Sequence, residues 1–397
     1  MIHGFYFRFY QKFHNDFIAS LLARLAYFVY CCAFVIKKIR RSKSKLSMTY
    51  KEAEELIIKT YPRLDSQPKY VNPPINQEID LSVVIPVYNY ADILEKNINA
   101  ILDQETQYRY QVILVDDGST DGAADILLRY KDDPKVKLIF QKNAGIGAAR
   151  NTGINAAEGK YLMFIDCDDI VHNDIVEVLM NKAYSENYDI VMCAHNLSKE
   201  KDGVVYQVVP NIYSSRNLMG YKNGDEIMNL AGLPWCKVYK REMWNAVRFF
   251  PGYWYEDTII QLLIFTQCKK YAYLPIVEYE YKWYEKNYSH IQNNNEDPKA
   301  IDTYWILIEI LEQYKRIGLP VDDVLYTLVL RHTSTYYYSS IKGFDNDLIE
   351  AMFVAAKGLY FKYKPQHKVK LPYMLRQVEK SFDKDDIELW KLASCYQ

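Results

Sequence analysis

An α/β domain built on a mostly parallel, doubly wound sheet is the fold class the sequence predicts, on three observations. Between Leu81 and Asn187, short apolar β-rich runs alternate with helix-length stretches four times, the pattern of parallel strands joined by crossover helices. Three of the expected strands end in polar residues with ligand chemistry, Tyr88-Asn89, Asp116-Asp117-Gly118-Ser119 and Asp166-Cys167-Asp168-Asp169. Ligands of open α/β sheets bind at such carboxyl ends. The composition, 49% hydrophobic and 25% charged with only 15 Gly and 14 Pro in 397 residues, excludes collagen-like, low-complexity and disordered chains.

The N-terminus is a different kind of segment. Residues 1–48 hold nine Lys/Arg and one acid, a balance of +8, and the rest of the chain sums to −9. A basic tail on an acidic body points to a membrane surface as partner, and not to nucleic acid. Phe17–Ile36 (FIASLLARLAYFVYCCAFVI) is interrupted only by Ser20 and Arg24, and at 1.5 Å per residue it reaches roughly 30 Å, the bilayer core thickness. Lys37, Lys38, Arg40, Arg41, Lys43 and Lys45 follow it, an anchor for anionic lipid and a positive-inside signal. Two membrane readings follow: a single span with all later residues cytoplasmic, or an interfacial helix aided by Phe5, Tyr6, Phe7, Phe9, Tyr10 and Phe13. A buried soluble helix is the third reading. The expected location is the cytoplasmic face of the cell membrane. Seven scattered cysteines with no CxxC pair fit a reducing compartment and indicate neither a disulfide framework nor a zinc site.

Residues 49–62 have apolar residues at helical spacing up to Pro62, and 63–80, with Pro68, Pro73 and Pro74, read as a linker. The alternation then runs LSVVIPVYN (strand), ADILEKNINAILDQ (helix), YQVILVDDG (strand), GAADILLRYKDD (helix), VKLIFQ (strand), IGAARNTGINAAEG (helix), KYLMFIDCDD (strand) and NDIVEVLMNKAYSEN (helix). After residue 190 the pattern is irregular and aromatic, and from about 298 it is helical. The expected domains are 1–48 membrane-associated, 49–79 helix and linker, 80–295 the α/β domain that carries the motifs below, and 296–397 helical, the last a candidate for self-association.

Each motif has a bland reading beside the chemical one. VDDGSTD alone reads first as an Asp-Gly turn with Ser119 or Asp121 capping the next helix, and second as a contact for nucleobase and ribose. Three carboxylates in IDCDD repel unless a cation or donor compensates them, and oxygen ligands suit Mg²⁺ or Mn²⁺; a solvated, helix-capping loop is the alternative. Gly145-Ile146-Gly147 through Arg150 imitates a dinucleotide fingerprint, but Arg150 replaces the third glycine and the motif follows the third strand. Glu256-Asp257 before an apolar helix reads as a general base or as a helix cap. Trp235-Cys236-Lys237 and His290 are further candidates.

Together, SVVIPVYN, VDDGSTD, NAGIGAARNTG, FIDCDD and YED resemble, in order and approximate spacing, the family 2 glycosyltransferases of bacterial surface-polysaccharide type, over about residues 80–290. The resemblance implies the GT-A fold, an inverting hexosyltransferase, a nucleotide-diphospho-sugar donor (a UDP-sugar) and a divalent metal, Mn²⁺ or Mg²⁺. It places Pro86, Val87 and Tyr88 around the uridine and Asp117 on the uracil imide. Asn143 and Arg150 then hold the nucleotide, Asp166 contacts ribose or sugar, and Asp168 binds the metal. Asp257 is the implied base, with Glu256 and Trp235 on the acceptor side. Lys282-Trp283-Tyr284-Glu285 and Ser289-His290 stand where relatives carry an Arg-containing closing segment, a departure from the pattern.

The chemistry agrees with these roles. Negative charge builds on the departing diphosphate, and the acceptor hydroxyl needs its proton removed. A carboxylate with an ordinary pKa near 4 is already ionised at pH 7. The basic N-terminus suggests a lipid-linked or other glycan acceptor. The competing hypothesis is a non-catalytic GT-A-fold partner subunit of a glycosyltransferase complex, against which the intact Asp166, Asp168 and Asp257 argue.

Overall fold

The computed structural model describes residues 16–41, 46–201, 204–211, 232–283 and 296–396. The aromatics from Phe5 to Phe13, Lys43, Lys45 and the candidates from Tyr284 to His290 lie outside the described residues. The chain divides into two compact units, one of residues 1–63, 292–304 and 321–397, the other of residues 64–291 and 305–320.

Among the described residues, helices α1 (Asp16–Arg40) and α2 (Tyr50–Thr60) come first. Thr49 and Glu52 close a capping box at the start of α2, the Glu52 carboxylate accepting from Thr49 N at 2.8 Å. Residues 63–80 form no helix or strand, as the prolines predict. From Leu64 they are nevertheless fixed on the sheet unit: Arg248 donates to Val71 O (2.8 Å) and Asn72 Oδ1 (2.9 Å), and Val71 N donates to Asn155 Oδ1 (3.1 Å).

Among the described residues the sheet has nine strands: β1 (Leu81–Val87), β2 (Tyr110–Asp116), β3 (Val136–Phe140), β4 (Tyr161–Phe164), β5 (Ile170–Val171), β6 (Ile190–Lys201), β7 (Val204–Asn211), β8 (Lys237–Lys240) and β9 (Tyr271–Trp283). Their order is β3-β2-β1-β4-β8-β6-β9-β5, with β7 beside β6. β1 runs parallel to β2 and β4, and β2 parallel to β3, which is the predicted alternation. Beyond β4 the sheet is mixed: β8 runs antiparallel to both β4 and β6, β9 runs parallel to β6, and β5 antiparallel to β9. Every β1 residue is buried, as a strand covered on both faces requires. Pro86 is tolerated because the β4 register stops at Val84↔Phe164, leaving that edge of β1 unpaired where the missing N–H falls. The same departure opens the sheet between the ends of β1 and β4, the point where strand order reverses.

Four helices connect these strands: α3 (Ala91–Leu102), α4 (Ala123–Leu127), α5 (Ile146–Ala156) and α6 (Ile175–Ser185). α3 buries Leu94, Ile98 and Ile101, one face at helical spacing. α4 is shorter than the sequence suggests, giving way to a single 3₁₀ turn at Leu128–Tyr130 ahead of Pro134. α5 crosses β1 so closely that a Cβ on Gly153 would lie 2.2 Å from Val84 Cγ1. Alanine usually stabilises a helix by about 1 kcal/mol over glycine. Here overpacking outweighs that gain, and we expect Gly153→Ala to cost about 1–3 kcal/mol in urea unfolding. A neutral or stabilising effect would show that α5 and β1 can move apart freely.

The remaining α-helices among the described residues include α7 (Asp302–Arg316), α8 (Asp323–Arg331), α9 (Tyr337–Ile341), α10 (Asn346–Tyr363), α11 (Tyr373–Asp383) and α12 (Ile387–Cys395), so the helical C-terminal region is as predicted. Of Tyr336, Tyr337 and Tyr338, Tyr337 is fully buried against Tyr304 and His332, and Tyr338 meets the edge of Trp390. All seven cysteines are unbonded thiols.

Candidate active site

The parallel register puts the ends of β2, β1 and β4 side by side, with Val87 opposite Asp116. Two loops are latched there. Asn89 Oδ1 accepts from Thr120 N at 2.8 Å, and Ser119 Oγ accepts from Asn89 N at 3.1 Å. Asn89 has a positive φ of 59°, which a short polar side chain tolerates better than most. Tyr88 is 46% exposed, whereas Pro86 and Val87 are buried. Val87 offers its carbonyl, which accepts from Asp117 N at 2.8 Å.

Asp117 is buried and bound on both oxygens. Oδ1 accepts from Gln141 Nε2 (2.7 Å) and Ala144 N (2.9 Å), and Oδ2 from Gly145 N (2.8 Å). Burial pushes this carboxyl up from its ordinary value, against the pull of those three donors. Three bonds leave about one of four lone-pair sites for a ligand donor. Gln141 is in turn held by Thr152 Oγ1 at 2.5 Å. Asn143 is exposed on the same loop, and Gly118, at φ 76°, passes it so closely that a Cβ would lie 2.9 Å from Asn143 N.

Arg150, on α5, joins two acidic motifs that are distant in sequence. Nη2 donates to Asp166 Oδ1 and Nη1 to Glu256 Oε1, both at 2.8 Å. The guanidinium lies over the Phe249 ring at 5.4 Å, and Nε is buried with no hydrogen-bond partner among the described residues. Burial alone would lower its pKa, but Asp166 and Glu256 more than offset this and hold it above the ordinary value. Arg150, which the sequence assigns to holding the nucleotide, is only 2% exposed, and each of its terminal nitrogens donates to a protein carboxylate. Gly147, one turn earlier on α5, allows the approach, since a Cβ there would lie 3.2 Å from Phe249 Cβ and 3.4 Å from Glu256 Cγ. Asn151 fastens the same contact, exchanging hydrogen bonds with the Phe249 backbone at 2.7 and 2.8 Å.

The three aspartates after β4 have distinct surroundings. Asp169 is buried and accepts from Tyr279 Oη (2.7 Å) and Lys282 N (3.0 Å), so it fastens the loop to β9. Burial first, then Asp168 and Asp166, push its carboxyl well up. Asp168 is 8% exposed, and Asp166, half of whose carboxylate meets Arg150, is the more open of the pair. No group of three or more His, Cys, Asp or Glu side chains among the described residues is gathered to hold a metal ion.

Asp257 follows Glu256 in the turn leading into the helical segment Ile260–Gln267, and Tyr255 before them has φ 60°. By area Asp257 is partly buried. Its carboxyl is pushed up to about 7, by burial first and by the neighbouring Glu256 second, against the pull of Arg150. That corrects the expectation of an ordinary carboxylate near 4. Trp235 is 4% exposed and stacks on Tyr279 (4.8 Å, 8°) and Tyr281 (5.2 Å, 15°), so it is a wall of the core. The adjoining Lys237 is buried, donates to Leu233 O (2.7 Å) and Trp235 O (3.1 Å), and is lowered by burial to about 8. Tyr279, which touches Asp169, the Asp166 backbone N–H (3.3 Å) and Trp235, escaped the sequence reading. Its signal was the aromatic alternation of YEYKW on a strand.

The family model described as "Glycosyl transferase family 2" matches residues 82–243. Glycosyltransferase GlyA of Streptococcus pneumoniae is 30% identical over 211 residues, 51% of this chain but only 30% of GlyA. The chain thus spans less than a third of that relative's length. The uncharacterized glycosyltransferase YibD of Escherichia coli is 28% identical over 251 residues, covering 61% of this chain and 73% of YibD. The putative glycosyltransferase EpsH of Bacillus subtilis is 28% identical over 271 residues, 60% and 78% of the two chains. Among solved structures, Staphylococcus aureus TarS 1–349 in complex with UDP-GlcNAc superposes with a TM-score of 0.58 at 17% identity, over 80% of this chain and 90% of TarS 1–349; that likeness establishes the fold. Residues 82–243, whose strand ends carry the Asp117 and Asp166 motifs described above, are thus what the chain shares with glycosyltransferase family 2.

Proposed function

We propose that residues 80–295 form a catalytic domain that transfers a sugar from a UDP-sugar to a hydroxyl of a glycan or lipid-linked acceptor, with inversion, in surface-polysaccharide synthesis. The flanking residues 49–79 and 296–397 serve as linker and helical support. One observation carries the reading: Arg150 holds the Asp166 motif at the end of β4 against Glu256, next to Asp257. A donor-side acid and the base candidate's neighbour are thereby tied to one guanidinium.

In this reading the exposed Tyr88 faces the base, Asp117 uses its remaining acceptor site on the uracil imide, and Asn143 lies along the nucleotide. Arg150 sets the position of Asp166, which contacts ribose or sugar. Asp168 would hold a divalent ion, because Mg²⁺ and Mn²⁺ are commonly held by one or two carboxylates plus substrate phosphates, with no all-protein cage needed. When bound, it supplies Lewis-acid stabilisation of the charge on the departing diphosphate. Asp257 takes the proton of the acceptor hydroxyl as that oxygen bonds to the anomeric carbon. The bond from that carbon to the diphosphate oxygen breaks on the opposite side, and the nucleoside diphosphate leaves with the electron pair. Glu256 and Trp235 border the acceptor side.

The full-length protein, screened against nucleotide-sugars with Mn²⁺, Mg²⁺ or EDTA, should release UDP from one donor only when metal is present. A folded protein that binds no nucleotide-sugar would overturn the proposal in favour of a non-catalytic partner subunit.

A further inference from the structure

We propose that α1 lies flat on an anionic lipid surface, with its outer face in the interface and its inner face on its own helical unit, and does not cross the bilayer. The inference stands apart from the transferase reading.

The inner face is built into the protein. Ala19, Ala23 and Phe34 are fully buried. Phe34 packs on Tyr396 and Tyr373 at 5.3 and 6.0 Å, and Tyr30 lies 4.4 Å from Tyr396, its hydroxyl donating to Cys395 O at 3.2 Å. Further along, Lys38 bonds Gln377, and Arg41 pairs with the buried Asp386. The C-terminal half of α1 is therefore clamped to α11 and α12. Those helices carry Arg376, Glu379, Lys380, Glu388 and Lys391, too many charges to follow α1 into hydrocarbon. A transmembrane placement would have to break every one of these contacts.

The outer face is apolar and unburied. Leu21, Leu25, Phe28, Val29, Ile36 and Ile39 are 51–77% exposed. At about 100° per residue they form one stripe, roughly a third of the circumference, directly opposite Ala19, Ala23 and Phe34. A monomeric soluble protein rarely leaves so long an apolar stripe in water. Its occupant is indicated by charge. The exposed Arg24 borders one side of the stripe and the exposed Arg40 the other, where long side chains lying along the surface reach phosphate headgroups. Arg24 is costly in a bilayer core, but at the rim of an in-plane helix it is favourable.

The test uses the full-length protein without nucleotide-sugar, in flotation with vesicles of phosphatidylcholine alone or of an equal mixture with phosphatidylglycerol. We expect flotation with the mixed vesicles only, and release from cell membranes by alkaline carbonate. The double variant Leu25→Glu/Phe28→Glu should lose roughly tenfold or more in vesicle partitioning with its unfolding temperature unchanged, because both positions face outward. Arg24→Gln or Arg40→Gln should each lose about fivefold on anionic vesicles. Carbonate-resistant retention would overturn the proposal in favour of a span. An absence of flotation, or flotation unaffected by the double variant, would overturn it as well. If instead the double variant turned a dimer into a monomer with no vesicle binding, the stripe would be a self-association face.

Discussion

Asp257→Asn should lower the turnover rate by about 10²–10⁴-fold, the range a positioned general base contributes, while nucleotide-sugar affinity stays near that of the parent. The asparagine keeps the shape and removes only the group that accepts the acceptor proton. The pH dependence supplies a second readout. With its carboxyl pushed up to about 7, the free enzyme is about half protonated at neutral pH, so kcat/KM should climb with pH to a plateau above that value. The charged groups acting on it are Glu256 and Asp166, which raise it, Arg150, which lowers it, and Lys237, with which it also interacts. Stability should move the other way. An unfolded aspartate titrates near 3.9, so between about 4 and 7 the folded chain holds more protons. Its stability therefore declines as pH rises through that window. The neutral variant escapes this loss and should be more stable than the parent at pH 8 by about 1–3 kcal/mol, after discounting for a carboxyl in partial contact with solvent. Full activity in the variant would sink the base assignment; a stability unchanged at pH 8 would sink the shifted titration.

The parts legible in the sequence were those whose cause is local. β1, β2 and β4 announce themselves because a strand buried on both faces must be largely apolar, as LSVVIPV is apart from Ser82, and acidic motifs directly follow β2 and β4. The mixed part of the sheet beyond β4 was not legible. β8 is four residues long, and β9 is interrupted by Pro275, with its register to β6 shifting between Cys193 and His195. Neither gives a clean period. Within the site, spacing identified Arg150, Asp166 and Glu256 but not that the first binds the other two, since that depends on α5 meeting the Phe249 segment. Asp169 looked like its neighbours and turned out to be structural, fixed by Tyr279 from a strand more than a hundred residues away.

Arg150→Met should destabilise the protein by about 3–5 kcal/mol, the usual cost of removing one partner from a buried ion pair. Both Arg150 and Glu256 are nine-tenths buried or more, and Asp166 is close behind. Deleting the cation leaves two carboxylates facing each other across an apolar wall made by Phe249. They are then forced to take up protons, so the loss should be smaller at pH 5 than at pH 8, which urea unfolding at the two values would measure. Adding Glu256→Gln to Arg150→Met removes one stranded charge and should recover part of the stability, whereas for independent sites the two costs would add. Arg150→Lys should recover little, because one ammonium cannot span two carboxylates on separate segments as a planar fork does. Activity should fall in every variant that loosens Asp166 from Glu256, even where the fold persists at low temperature. A cost below about 1 kcal/mol, typical of an exposed pair, would mean that Arg150 does not hold the two acidic motifs together.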